Sequence, residues 1–527
     1  MTTTEAPATL FIGGRVMTMA PGAEPEVVLV VGDRISAVGG QELLAKNPTA
    51  TVHDLAGSTL VPGFIDAHNH LSIAAIHPRW RDVSAVADTE ALLAEVSQQA
   101  LAEPDAPWIR VWGWDESVTG VTPTAADLDS LGFDRPIVVA HYSIHQAVVN
   151  SRGLDELGIG RTTPNPVGGE IVRGADGEAT GLLLERAWGR AHALSLAGFT
   201  DPDLWADHIV ARAEHLLASG ITAVHDAACA PAAEVVYRQL AAAARLPISV
   251  LACPHPDALF DHNFGDRLDG PTTGEGDEWL RVGPAKFFAD GGLEIALDVT
   301  IKGRPLRFGA LVEDCSAAID DAVDRGWGIA VHAIGNAAVE SVIESYRRAR
   351  RSKNSDARLR IEHVGVAARE QCRALADLGV IAVVQPGFVE HIGAQGGLVA
   401  FDQHAWLPFA WLAEAGVTLA ASSDDPCAPF PPLWGASRGA TRHSDRLGGE
   451  FDLDQAVDFP SWLKAYTAGA ALAGGQEHER GTIAPGLRAD LVVLEGELDP
   501  KNPPRVAETW VAGQQVYQSV RYRGRHD

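Results

Sequence analysis

Residues 60–71, LVPGFIDAHNHL, begin as an apolar run and end in two histidines that are separated by one residue. Successive side chains of a β-strand point to opposite faces, so residues two apart share a face. We therefore expect His68 and His70 to lie on the same side at the end of a buried strand. The stretch predicts both a strand of the core and a pair of metal ligands.

Downstream of this stretch, strand-like apolar runs alternate with segments whose apolar residues recur at i, i+3 and i+4. This alternation is typical of βα units around a parallel sheet. Eight strands with intervening helices favour a TIM (β/α)8 barrel over an open sheet. The predicted strands are STLVPGFIDAH, ITAVHDAA, PISVLAC, VGPAKFFAD, GIAVHAIG, RLRIEHV, VIAVVQP and VTLAASSDD.

The two ends of the chain differ from its middle. Residues 1–58 and 481–527 contain short β-branched runs punctuated by glycine. Because an isolated hairpin is marginally stable, we expect both ends to form one small β-sandwich rather than two separate appendages. Residues 59–480 then form the barrel domain. Within it, residues 72–200 are too long for a barrel loop, and we interpret them as an insertion after the first strand that forms a lid or pocket wall.

Composition excludes several classes of protein. Of the 527 residues 46% are apolar, no window approaches the roughly 18 apolar residues that span a bilayer, and the N-terminus lacks a signal-peptide pattern. We therefore expect a cytoplasmic protein without membrane contact. The net charge of −27 argues against a nucleic-acid partner. Five scattered cysteines have no metal-binding spacing, so a metal would need histidine and carboxylate ligands.

In a TIM barrel, functional side chains gather at the C-terminal ends of the strands. Each histidine there has an ordinary explanation as a buried or surface residue, but their coincidence on several strands indicates a metal site. The predicted rim consists of His68 and His70 after the first strand, Lys286 in the fourth, His332 in the fifth, His363 in the sixth, and Asp424 or Asp425 after the eighth.

Two parts of this rim leave alternatives open. Lys286 either pairs with Asp290 or Glu294, holds a substrate carboxylate, or becomes a metal ligand after carbamylation by carbon dioxide. His225 and Asp226, at the end of the second strand, either support the metal ligands from behind or are ordinary polar rim residues.

Several motifs in their order resemble the amidohydrolase superfamily. Within it they resemble the amidohydrolase-3 branch of YtcJ-like proteins, the branch of the N-substituted formamide deformylases. The resemblance covers nearly the whole chain, including IHQAVVNSRGL and GGEIVRGADGEATGLLLERA in the insertion. The motifs are VPGFIDAHNHL, AKFFADGG, VHAIGN, RIEHV, SSDDP and AYTAGAALAGGQEHERGTIAPGLRADLVVLEGE.

The resemblance implies a metal-dependent TIM-barrel hydrolase with two divalent ions, zinc or else manganese, iron or cobalt. It implies that a Lys286 carboxylated at N6 bridges the ions; without this modification, one metal is expected. Asp424 fits the Ser-Asp-x-Pro pattern better than Asp425 and would be both a ligand and the proton shuttle. The implied ligands are His68, His70 and Asp424 for the first ion, and His332 and His363 for the second.

The expected reaction is hydrolysis of a carbon–nitrogen, amide-type bond of a small molecule by hydroxide generated on the metal. Cyclic amides, carbamates and esters stay open as substrates. His145 resembles the branch's pocket histidine, and Trp112 and Trp114 either wall the substrate pocket or belong to the core. We also expect a homo-oligomer, a dimer.

Two competing functions have some support. Residues 435–439, GASRG, match the G-x-S-x-G pattern of serine hydrolases, with Ser437 as nucleophile. That mechanism requires a strand that runs through a sharp turn into a helix, whereas this motif follows a proline-rich segment. A metal-bound regulatory protein without catalysis is the second alternative, because a fold does not fix a function.

Overall fold

The computed structural model describes residues 6–196, 201–255, 265–292, 295–312, 315–354, 356–390 and 399–520. At its centre lie two sheets whose strands all pair in parallel, and every stretch predicted as a barrel strand overlaps one of these strands. In chain order they are β1 (Phe64–Asn69), β2 (Ile221–Cys229), β3 (Ser249–Pro254), β4 (Leu280–Val282), β5 (Ala285–Phe288), β6 (Ile329–Ala333), β7 (Leu359–His363), β8 (Ile381–Val384) and β9 (Thr418–Ala421).

One sheet has the order β4-β3-β2-β1, and the other has the order β5-β6-β7-β8-β9. Helices lie between most consecutive strands, as predicted, and bury apolar residues such as Ile209, Tyr237 and Val339 against the sheets. Parallel strands covered in this way read as continuous apolar runs. These helices are Pro202–Leu217, Pro231–Ala242, Ser316–Asp324, Asn336–Ala349, Arg369–Asp377 and Phe409–Ala415.

Further helices follow β9 and complete the cover. Pro432–Thr441, Phe459–Lys464 and Ala470–Gly474 are α-helical, and Ala465–Gly469 forms a π-helical turn between the last two. Short antiparallel pairs decorate the ends of the strands: Leu297–Ile301 with Arg304–Phe308, Val366–Ala368 with His404–Trp406, and His443–Ser444 with Gly449–Glu450. Within the described ranges, no helix has both the length and the apolar character needed to cross a bilayer.

The segment after the last parallel strand meets the end of the first. The N–H of Asp424 donates to the carbonyl of His68 at 2.8 Å, and the N–H of His70 donates to the carbonyl of Asp425 at 2.9 Å. The hydroxyl of Ser423 donates to Asp66 at 2.5 Å. These bonds bring the side chains that follow β1 and β9 to one rim.

The stretch predicted as the first barrel strand is divided in two at Gly63. Thr59–Pro62 pairs with Leu491–Glu495 in a terminal sheet, and β1 begins only at Phe64. A Cβ atom at Gly63 would lie 2.3 Å from Oγ1 of Thr222. The chain can pass from one sheet to the other beside β2 because this position has no side chain.

The two ends of the chain meet in a pair of sheets. The first has the order Arg34–Gly39, Val27–Val31, Ala8–Ile12 and Thr51–Asp54. The second combines both ends in the order Arg15–Val16, Thr59–Pro62, Leu491–Glu495, Arg505–Val511 and Gln514–Gln518. Phe11, Val28, Leu60 and Val493 belong to one apolar core shared by the two sheets.

The insertion is a folded unit with its own sheet and core. Its sheet has the order Gly169–Arg173, Ala179–Glu185, Gln146–Val149, Ile137–His141 and Ile109–Trp114. Its helices are Thr89–Ala102, Glu116–Thr119, Ala125–Asp129, Ser151–Leu157 and Arg186–Leu196. Two apolar clusters within it hold Val138 with Leu183 and Val111 with Ile137.

Candidate metal centre

His68, His70 and Asp424 come together where β1 ends and the segment after β9 begins. Nε2 of His68 lies 3.3 Å from Oδ1 of Asp424, and Nε2 of His70 lies 3.0 Å from the same oxygen. The potential ligand atoms of all three residues lie within 4.8 Å of one another. Asp424 has a φ of 63°, a left-handed conformation that is uncommon for residues other than glycine. The two imidazoles and the carboxylate are therefore arranged to bind one cation.

Each of these histidines is held through its other ring nitrogen. Nδ1 of His68 lies 2.5 Å from Oε2 of Glu362, and Nδ1 of His70 lies 2.9 Å from the carbonyl oxygen of Ala227. Because carboxylate and carbonyl oxygens are acceptors here, both histidines carry their proton on Nδ1. Nε2 of each ring is then free to donate its lone pair to a metal, as is usual for metal-binding histidines.

Sequence reasoning missed Glu362 and Arg360. Arg360 donates to both carboxylate oxygens of Glu362, at 2.6 and 2.9 Å, and to the carbonyl of Ala67 at 2.6 Å. Both side chains are buried, so their mutual contacts and those with His68 compensate for lost hydration. The detectable signal was that Arg360 and Glu362 lie inside RLRIEHV, a stretch predicted to be a buried strand.

His332 and His363 lie beside the first group. Their ring centroids are 4.5 Å apart, and the His363 ring is 4.8 Å from that of His68. Nδ1 of His363 lies 2.8 Å from Oε1 of Gln385, which sequence reasoning also missed. The structure thus gathers four histidines from β1, β6 and β7 around one space.

Lys286 lies on β5 and is buried, and its Nζ forms no hydrogen bond with any described residue. Burial lowers the pKa of Lys286 to about 8. Asp290 does not pair with it, because that carboxylate accepts the N–H groups of Ala296, Ile334 and Gly335 at 2.8–2.9 Å. Glu294, the other predicted partner, lies outside the described residues. A buried amine that forms no hydrogen bond is suited to reaction with carbon dioxide.

Asp425, the residue after Asp424, has a different environment from Asp424. Arg212 donates to both of its carboxylate oxygens, at 2.6 and 2.7 Å. Asp424, by contrast, faces the histidines. Burial opposes ionisation of Asp424, but the charge that His68 carries when it is protonated and a hydrogen bond from a protonated His70 outweigh it, so without metal the pKa of this carboxyl lies well below its usual value. Of the two aspartates, Asp424 is therefore the one that can bind a metal and carry a proton.

Comparison with known proteins identifies the family of this chain. The sequence profile of the amidohydrolase family matches residues 51–517. The chain belongs to the amidohydrolase family. It is 33% identical over 492 residues to N-substituted formamide deformylase of Arthrobacter pascens, covering 89% of this chain and 90% of that protein. It is 28% identical to the putative amidohydrolase YtcJ of Bacillus subtilis (strain 168), covering 96% and 98% of the two chains.

A solved structure shares the fold of this amidohydrolase. An uncharacterized metal-dependent hydrolase from Pyrococcus horikoshii OT3 matches with a TM-score of 0.72 and 22% identity, covering 94% of this chain and 98% of the other. The family predicted from the motifs is confirmed, and so is the prediction that the chain is an enzyme that hydrolyses carbon–nitrogen bonds.

The amidohydrolase has a cavity over the clustered histidines. Its volume is about 730 Å³ when its opening to solvent is included. His68, His70, His332, His363 and Asp424 line one wall. The insertion contributes His145, Glu185 and Trp188 to the lining of the same cavity.

Two residues predicted as substrate contacts lie elsewhere. Trp114 is fully buried in the core of the insertion, where its indole N–H donates to Thr119 at 3.3 Å. Trp112 packs against His77 with the two rings tilted by 50° and their centroids 4.0 Å apart, and it lines a neighbouring cavity. Trp188 instead lines the cavity over the histidines, and its indole N–H donates to the carbonyl of Ile144 at 2.8 Å. The sequence alternation could not show which cavity a tryptophan faces.

His225 and Asp226, the two residues predicted at the end of the second strand, bind side chains that lie behind the proposed metal ligands. Nδ1 of His225 accepts a hydrogen bond from Arg360 at 3.0 Å, and Arg360 in turn holds Glu362. Asp226 accepts a hydrogen bond from the hydroxyl of Tyr237 at 2.7 Å. His225 therefore supports the site through the arginine that holds Glu362.

Ser437 has no catalytic surroundings. It lies inside the helix Pro432–Thr441, not at a strand-to-helix turn, and its hydroxyl donates to the carbonyl of Pro500 at 2.6 Å. Its side chain does not line the cavity over the histidines. The serine-hydrolase alternative therefore lacks the geometry that it needs.

Proposed function

We propose that this amidohydrolase uses divalent metal to cleave the exocyclic carbon–nitrogen bond of a small-molecule amide. The observation that carries the proposal is the convergence of His68, His70 and Asp424 in the lining of one cavity. The identity to N-substituted formamide deformylase supports an N-substituted formamide or a related N-acyl amine as substrate.

The donor set fits two divalent ions, which we propose to be zinc. His68, His70 and Asp424 would hold the first ion, and His332 and His363 the second. Lys286 would lie between them as a carbamate, formed when its free amine adds to carbon dioxide and releases a proton. Nζ forms no hydrogen bond with a described residue, so its amine is available for this reaction. The carbamate then supplies oxygen ligands for a metal.

Asp424 moves the proton in the proposed mechanism. The chemistry that bound divalent ions supply here is acidification of water and polarisation of a carbonyl oxygen. Asp424, as the carboxylate, accepts the proton of the attacking water. It then returns the proton to the amine nitrogen as the carbon–nitrogen bond breaks. Glu362 and Gln385 keep His68 and His363 oriented throughout.

The architecture around the site is part of the proposal. We infer that the two parallel sheets form one TIM barrel and that the terminal sheets form a β-sandwich beside it. The proposed domains are residues 1–58 with 481–527, and residues 59–480 with the insertion at 72–200. A cytoplasmic homodimer is proposed as the working state.

Metal analysis paired with a substrate screen tests the function. The purified protein is analysed for metal content, then assayed on N-formyl amines, N-acyl amines, lactams, carbamates and esters before and after chelation. We expect amine release that is lost on chelation and restored by a divalent ion. Active protein that contains almost no metal would contradict the mechanism. Metal-loaded protein that is inactive on every substrate would favour the regulatory alternative.

A further inference from the structure

The insertion brings a histidine and a glutamate together at the cavity. Nδ1 of His145 lies 2.6 Å from Oε2 of Glu185, and both side chains line the cavity. Their backbones are also joined, because the N–H of Glu185 donates to the carbonyl of His145 at 2.7 Å. Glu185 and Ile144, the residue before His145, have φ angles of 51° and 63°, so the chain adopts uncommon conformations on both sides of this contact.

Two glycines of the AKFFADGG motif make room for the pair. A Cβ atom at Gly291 would lie 2.2 Å from Oε1 of Glu185, and one at Gly292 would lie 2.3 Å from Cδ2 of His145. Any other residue at either position would displace the pair. The segment after β5 is therefore shaped to receive these two side chains from the insertion.

The pair also lies directly beside a proposed metal ligand. The ring centroids of His145 and His332 are 5.4 Å apart. The N–H of Gly292 lies 3.1 Å from both Oε1 of Glu185 and Nδ1 of His145. The carboxylate takes this bond, because it offers only acceptors. Nδ1 of His145 then carries a ring proton and donates this hydrogen bond to Glu185, so Nε2 is the ring nitrogen left for a ligand.

We propose that Nε2 of His145 accepts the N–H of the scissile amide and that Glu185 is the positioning residue that fixes this orientation. The inference rests on the proposed function and specifies its substrate class as mono-N-substituted amides. With its N–H held by His145, the amide nitrogen turns its developing lone pair away from His145, ready to take the proton from Asp424. An N,N-disubstituted amide has no N–H to offer and leaves Nε2 unpaired.

The test compares N-(2-phenylethyl)formamide with its N-methyl derivative. For the wild-type protein we expect kcat/KM to favour the first compound by about 100-fold or more, because a site built around a substrate N–H rejects analogues that lack it. His145→Phe should reduce that preference to less than about tenfold. Glu185→Gln should reduce it partly, and adding Glu185→Gln to His145→Phe should change it no further, since the two residues act as a unit.

A purely structural role predicts a different pattern. Variants that only loosen the insertion would slow both compounds alike and leave their ratio unchanged, which would overturn the inference. Glu178→Gln, at an exposed glutamate of the same insertion, is the matched control and should leave both rates unchanged. Metal content is measured for each variant so that loss of metal is recognised.

Binding separates this inference from the proposed reaction. If neither formamide is hydrolysed, the proposed reaction fails for this class, and calorimetric dissociation constants of the two compounds are compared instead. Tighter binding of N-(2-phenylethyl)formamide that disappears in His145→Phe would still support the inference. Equal affinities, or no binding of either compound, would overturn it.

Discussion

Carbamylation of Lys286 is the part of the proposal with the most direct chemical consequence. Carbon dioxide reacts with the free amine and not with the ammonium form. With a pKa of about 8, about one tenth of the Lys286 side chains carry the free amine at pH 7. A lysine with the ordinary pKa of about 10.4 would carry it in fewer than about one in a thousand chains. Burial on β5 therefore favours this reaction strongly at Lys286.

In the experiment, metal-free protein is incubated at a controlled carbon dioxide pressure and pH and is then activated with metal. Below the pKa of Lys286 the free amine falls tenfold for each pH unit, so the rate of activation should fall about tenfold between pH 7 and pH 6. Activation in buffer stripped of carbon dioxide should be slower still. The rate is followed by assaying samples after addition of metal.

Labelled carbon dioxide identifies the product directly. Protein activated with ¹³C-bicarbonate should show one carbamate carbon resonance that is absent in Lys286→Met. Lys302→Met removes an exposed lysine and should keep the resonance and the activation rate. Activation at the same rate with and without carbon dioxide, and no carbamate resonance in active protein, would refute the reasoning.

Three further substitutions test the site. Asp424→Asn should lower kcat by about 10²–10⁴-fold while some metal is retained, because general acid–base transfer contributes a factor of this size; full activity would rule out the proton shuttle. Glu362→Gln should weaken metal binding about 10–100-fold and lower the free energy of unfolding by about 3–5 kcal/mol in urea titrations, since it leaves Arg360 without a charged partner; an unchanged metal affinity would show that His68 does not depend on Glu362. Ser437→Ala should leave activity intact, and the wild-type protein should not react with fluorophosphonates; loss of turnover would restore the serine alternative.

Much of the candidate metal centre was visible in the sequence because its residues lie in the predicted strands or just after them. Period-two alternation placed His68 and His70 on one side of a strand end, and the parallel pattern placed Lys286, His332, His363 and Asp424 near the same rim. These inferences need only local geometry and the rule that parallel strands end together. In the stretch 60–71, Pro62 and Gly63 marked the entry from the β-sandwich, but the apolar run did not show that Thr59–Pro62 pairs with Leu491–Glu495.

The tertiary structure alone decided the partners of these residues. Glu362, Gln385 and Glu185 hold His68, His363 and His145 through contacts between residues 22–294 positions apart in the chain. No local period encodes such pairings. Likewise, the sequence does not show that Trp112 lines a neighbouring cavity and Trp114 lies in the core of the insertion, whereas Trp188 lines the cavity over the histidines. By itself the sequence determined the family, the parallel strands and the proposed metal ligands. The packing of the insertion against the strand ends decided that His145, Glu185 and Trp188 line the cavity. The sequence does not encode this arrangement locally, because it depends on contacts between segments that are far apart in the chain.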